Sequence, residues 1–174
     1  MPISLHDATV GAYLHMLPNV LGMFDKAEQH CRDADMEDRA LLAASLSDDM
    51  WDFSKQIDQV VLLSERAVRA MREGTYYPDL APVDCSFDDL RAMVSDAIAF
   101  LETVTPEELE TIADKDVELR HEAIRAPFSV AEFLLTFSIP NFYFHVTTAY
   151  AILRNQGVPV GKADYYGPLR TEPA

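Results

Sequence analysis

Asn141 and His145 stand four residues apart, and so on one face of a helix, within the otherwise largely apolar stripe Leu134, Phe137, Thr148, Ile152. An imidazole in such a place serves as a general base or acid, and a neighbouring amide orients either the ring or a substrate. Polar groups there must find partners or cost ~1–3 kcal/mol each. Pro140 adds an irregularity, because in a regular α-helix it has no N–H for the carbonyl of Thr136. Asp49 and Gln56 lie about two turns apart at the edge of a second apolar seam. They are the acceptor and amide that would fix the tautomer of a facing histidine and raise its pKa. The same four residues also suit a satisfied core network, and both readings stand at this point.

Other chemistry is poorly provided for. His6, His15, His30 and His121 form no HxxxH or HExxH pair, so neither a metal nor another cofactor is expected. Cys31 and Cys85 make no CxxC motif and lack local histidines, which excludes a disulfide scaffold and gives little support to a thiol nucleophile. No GxSxG, Walker A or GxGxxG motif occurs. Asp52, Asp58, Glu65, Asp88, Asp89 and Asp96 read as solvated faces.

The elements that must position these residues are helical. A first helix starts at Ser4 and ends near Cys31, with Val10, Tyr13, Leu14, Leu17, Leu21 and Phe24 at three- and four-residue steps and Pro18 as a bend. After the short run Ala40-Leu41-Leu42, a second spans about Asp48 to Glu73 on the seam Met50, Phe53, Ile57, Val60, Ser64, Val68, Met71, and Gly74 stops it. Thr75 to Cys85 reads as a loop. A third helix opens at Ser86 and runs to about Thr103, and Thr105-Pro106 caps a short further turn. Alternation from Val117 to Ala123 marks an extended segment or hairpin. The last helix begins at the capping box Ser129-Val130-Ala131-Glu132 and ends at Gly157, followed by an irregular tail over 158–174. The fold expected is all-α, an up-down four-helix bundle with a short extended excursion before its last helix.

At 174 residues the chain is expected to form a single domain, 1–174, and 49% hydrophobic with 25% charged residues is the balance of a globular protein. Fourteen basic against 29 acidic residues give a net charge of −15, which opposes nucleic acid and anionic membrane surfaces as partners. The start Met1-Pro2-Ile3-Ser4 has no basic or apolar leader pattern, so a cytoplasmic protein is expected. Phe133 to Leu153 carries no formal charge and is long enough to span a bilayer, yet Thr136, Ser138, Asn141, His145 and Pro140 interrupt it. It reads as a helix buried in the protein or at a dimer interface.

The segment Pro140-Asn141-Phe142-Tyr143-Phe144-His145, together with Ser4-Leu5-His6-Asp7-Ala8, Asp49-Met50, Gln56 and Gly161-Lys162-Ala163-Asp164-Tyr165, resembles a family of unknown function within the DinB/YfiT-like superfamily. That resemblance covers nearly the whole chain and implies a four-helix bundle, often dimeric. In metal-bearing members it implies a divalent ion held by one histidine of the second helix and two of the last, at i and i+4. Some of those members are thiol-dependent transferases or isomerases, and others are hydrolases. Here Asn141 and Ala149 flank His145 where a second histidine would stand, and Gln56 stands where the helix 2 histidine is sought. Amide carbonyls are poor ligands for zinc or nickel. The expectation is a degenerate metal site that has become a small polar pocket of His145, Asn141, Gln56 and Asp49, acting on or binding a small molecule by general acid/base chemistry. The alternatives are a non-catalytic, dimeric binding or stress-associated protein, and a metal-dependent, thiol-using transferase or isomerase. A homodimer is the expected assembly.

Overall fold

Local capping chemistry sets most helix starts in the computed structural model, which describes residues 3–169. Ser4 accepts the Asp7 N–H and opens α1 (Leu5–Ala8), and Thr9 interrupts the helix before α2 (Val10–Asp33). The single first helix read from the sequence is thus two pieces, with the Thr9 hydroxyl donating to the Leu5 carbonyl at 2.7 Å. α3 (Asp38–Leu42) follows. The next helix begins later than its sequence indicates, because Asp52 is the cap: its carboxylate accepts the Lys55 N–H at 2.9 Å. The run comprises α4 (Phe53–Val61), a π-helical turn π1 (Leu62–Arg66) and α5 (Ala67–Glu73). Gly74 ends it with φ +74°, a left-handed conformation that glycine adopts without strain.

Beyond Gly74 the chain does not stay irregular. Its β1 (Thr75–Tyr76) pairs in parallel with β2 (Asp116–His121), Tyr76 opposite Leu119, and β2 pairs antiparallel with β3 (Ile124–Ser129). Between them lie α6 (Phe87–Leu101), capped reciprocally by Ser86 and Asp89, and α7 (Pro106–Ile112), capped by Thr105. The excursion before the last helix is therefore part of a three-stranded sheet rather than an isolated hairpin. The Ser129–Glu132 capping box then starts α8 (Val130–Glu132), which continues through a second π turn, π2 (Phe133–Ser138), into α9 (Ile139–Asn155). The stretch after Gly157, expected to be irregular, folds into α10 (Lys162–Tyr166), while residues 170–174 lie outside the described residues. α10 is held on α2 by Lys26 Nζ to Asp164 at 2.8 Å and by Asn19 Nδ2 donating to the Tyr165 carbonyl at 3.3 Å. The chain is mostly helical, with this small sheet as its addition.

Tyr13, Phe24, Phe53, Phe133, Phe142, Ile57 and Leu90 are among the fully enclosed side chains, each contributing about 1.5–3 kcal/mol by burial. Tyr13 meets Phe142 edge-on at 4.8 Å between ring centres. The two π turns are tied together inside this core. The buried Ser138 hydroxyl of π2 donates to the Leu63 carbonyl of π1, and the Tyr13 hydroxyl donates to Ser138 Oγ at 2.7 Å. Burial pushes the Tyr13 hydroxyl pKa up, so it stays a donor. Ser138→Ala strips a partner from both Tyr13 and Leu63 and is expected to cost about 2 kcal/mol in denaturant unfolding. In the double variant with Tyr13→Phe the loss falls short of the sum of the two single losses. Additive losses would show that the three groups are not one chain.

Candidate functional site

All nine residues of α4 are buried, so its polar side chains have to be paired within the protein. α9 packs along it and brings His145, 6% exposed, onto Gln56, 1% exposed. The Gln56 Nε2 amide donates to the Trp51 carbonyl at 3.0 Å, which turns Gln56 Oε1 toward His145 Nδ1 at 2.7 Å. An amide oxygen only accepts, so Nδ1 carries the proton and Nε2 bears the lone pair. No hydrogen bond to Nε2 occurs among the described residues. Trp51 stacks on the imidazole at 5.8 Å and 21°, and Phe144 meets it edge-on at 5.1 Å. Burial, then the Lys55 charge, push the His145 pKa down to about 4, with Asp58 partly opposing them. The sequence argued for a partner that raises this pKa. The structure supplies a neutral amide, which does not.

Asn141 and Asp49 do not join this pair. Asn141 Nδ2 donates to the Phe137 carbonyl at 2.6 Å, one turn back on its own helix. Asp49 is exposed, lies before the helix start and accepts the Ser47 hydroxyl at 2.7 Å. The four-residue polar pocket therefore reduces to Gln56 and His145, with Trp51 as their cover.

Sequence reasoning missed the buried polar group beside them. Asp58, read as part of a solvated face, is enclosed, and Lys55 Nζ meets its carboxylate at 2.7 Å. Lys55 Nζ and Gln59 Nε2 both donate to the Asp79 carbonyl, at 2.9 and 2.8 Å, and Gln59 also reaches Asp58. The Lys55 ammonium also lies 5.6 Å from the Trp51 ring centre. The i, i+3 spacing of Lys55 and Asp58 permitted their pairing. Their burial depends on the Asp79 loop.

The donors present do not fit the divalent ion that the superfamily resemblance implies for some members. One ring nitrogen of His145 is taken by a glutamine oxygen, Asn141 is turned to its own helix, and among the described residues no three His, Cys, Asp or Glu side chains converge. Both thiols are held in the protonated form. Burial and nearby carboxylates, Asp38 for Cys31 and Asp89 for Cys85, push their pKa values up. An apolar cleft of about 480 Å³ is lined by Leu46, Met50, Tyr143, Phe144, Thr147, Thr148 and Ala151, and Phe144 connects it to the His145 ring. No helix among the described residues is long and apolar enough to cross a membrane.

The fold of these helical runs is shared with solved DinB structures. The crystal structure of a DinB family member protein from Shewanella denitrificans matches with a TM-score of 0.82 at 26% identity, over 98% of this chain and 96% of that one. A DinB-like protein from Bacillus subtilis, YjoA, matches with a TM-score of 0.55 at 12% identity, over 87% and 95%, which speaks for the fold alone. The class is thus that of the DinB-like helical proteins. Within it, residues 5–166 match the domain of unknown function DUF1993, and the chain belongs to that family. No curated protein matches it.

The lowered pKa of His145 has a sign. The unfolded chain takes up a proton near the ordinary value of 6.5 and the folded protein only near 4, so stability from this residue is complete above 6.5 and falls as pH drops through that window. The loss approaches about 3 kcal/mol. Denaturant unfolding from pH 7 to 4 should show this slope, and His145→Gln should flatten it. A His145 ring that titrates between about pH 5 and 8 by NMR would contradict the assignment.

Proposed function

We propose that this protein works by binding a small molecule at the Trp51–His145 stack, with His145 as a neutral hydrogen-bond acceptor, on a DinB-like four-helix scaffold whose superfamily metal site has degenerated. The observation that carries the reading is the Gln56 contact: it fixes the proton on Nδ1, while the low pKa keeps Nε2 free of one. A ligand that donates an N–H or O–H is the natural complement. Trp51 and Phe144, the two rings against His145, are 38% and 56% exposed, so both can move without disturbing the core. The apolar cleft alongside suits a ligand whose remaining body is hydrophobic.

Binding is favoured over acid/base turnover by the same pKa. An imidazole near 4 is a weak acceptor in the transition state and gives no acid form near neutrality. A second reading, assembly into a homodimer, draws on Leu46 and Phe144, which leave the cleft rim apolar and exposed.

Trp51 is the sole tryptophan of the chain, so its fluorescence reports on this site alone. A library of small hydrogen-bond donors with apolar bodies, screened by that signal, should give saturable changes that also shift the His145 Nε2 resonance. His145→Phe, which keeps a ring and removes the acceptor, should weaken such ligands about tenfold, the share of one hydrogen bond. Ligands that move Trp51 equally in wild type and His145→Phe would refute the acceptor role. A dimer in light scattering that Phe144→Glu splits, with no ligand found, would favour assembly instead.

A further inference from the structure

A second cleft, of about 490 Å³, is bordered by Asp79 and shares no lining residue with the apolar cleft at Phe144. One wall is π1 and α5, contributing Leu62, Arg66 and Ala70, and the other is the strand and loop after Gly74, contributing Tyr76 and Pro78. Tyr76 is only 2% exposed, its ring packed on Phe133 at 5.1 Å and Phe137 at 5.9 Å. Its hydroxyl has no hydrogen bond among the described residues and is open to the cleft that Tyr76 lines rather than enclosed in the core. A donor held on a packed ring and open to a cleft is positioned for a ligand that enters it.

The charges around that hydroxyl narrow the partner's chemistry. Arg66 is close enough for its charge to oppose the rise that burial gives the Tyr76 pKa. Its carboxylate partner is Asp79 at 4.0 Å, a long contact between half-exposed groups, so most of its N–H donors remain available. Arg69 is committed elsewhere, to Glu65 and to the face of Phe100 at 3.7 Å. A carboxylate reaching Arg66 and Tyr76 would also meet Glu73 and Asp79, which line the cleft, and the carbonyl end of α5 at Gly74. Those features repel a simple anion and attract an ammonium. The walls left over, Leu62, Ala70 and Pro78, are apolar.

We infer that this cleft binds a small zwitterion, an α-amino acid with an apolar side chain. Its carboxylate accepts from Tyr76 Oη and Arg66, and its ammonium faces Glu73 and Asp79. The π turn is the enabling irregularity, since it precedes α5 and ends at Arg66; single π turns recur at functional sites.

The test is an NMR titration of the full chain with L-leucine and L-phenylalanine. Two truncated probes accompany them: 4-methylpentanoate, which lacks the amino group, and 3-methylbutylamine, which lacks the carboxylate. At least one amino acid should bind saturably with shifts at Tyr76, Tyr77 and Arg66, and both truncated probes should bind at least tenfold more weakly. Tyr76→Phe, which keeps the packed ring, and Arg66→Ala, at the surface, should each weaken the amino acid about tenfold. Absence of binding by both amino acids up to about 10 mM, well above a millimolar Kd, overturns the proposal. So does affinity that both variants leave intact, or 4-methylpentanoate binding as tightly as L-leucine.

Discussion

Enclosure of α4 on every side is the constraint from which the rest of the molecule follows. A helix with four of nine side chains amide or charged, Lys55, Gln56, Asp58 and Gln59, survives inside a protein only if every polar atom is answered locally. The answers recruit distant segments. The Asp79 carbonyl is drawn in for Lys55 and Gln59, the Trp51 carbonyl for Gln56, and α9 supplies His145. Each tie fixes a loop as well as a side chain. The ordering of Trp51 over the imidazole, and of the loop that walls the second cleft, are both products of satisfying one buried helix.

The two π turns belong to the same economy of buried groups. Each sits in a long helical run where it passes through the core, and Ser138 joins them by donating to the Leu63 carbonyl. A π turn widens the helix by one residue and changes the direction in which the following residues point. On the α4–α5 run it lies between the residues that face α9 and those that face the sheet. On the last run it begins with Phe133, against Tyr76, and precedes the face that carries His145.

Much of this architecture is legible in the sequence because it is local. Ser4, Ser86, Thr105 and Ser129 announce helix starts through side chains that bond three residues ahead, and the seams Phe53–Ile57–Val60 and Leu134–His145–Ile152 announce which faces turn inward. Gln56 opposite His145 follows from those faces. Asp49 does not, because Asp48, Asp49 and Asp52 all suit a cap. The choice falls to a remote contact, Phe53 N–H to the Ala44 carbonyl. Asp58 is misread for a related reason: on its own helix it resembles any surface carboxylate, and only the returning loop at Asp79 encloses it. β1 is invisible for want of local alternation, since two residues form a strand only when β2 is already beside them.

The clasp between α2 and α10 carries a consequence for how the chain acquires its shape. Asn19 and Tyr165 are 146 positions apart, and Lys26 and Asp164 are 138 apart, so these bonds close among the longest loops the chain contains. Gly167, at φ +66° against the Asn19 side chain, leaves no space for a Cβ there and seats the clasp tightly. During vectorial synthesis α1, α3 and α6 can pack on α2 early, but the part of α2 that receives α10 stays uncovered until residues 162–166 have left the ribosome. Asp25 and Glu28, which later pair with Arg91 of α6, keep α2 soluble until α6 arrives.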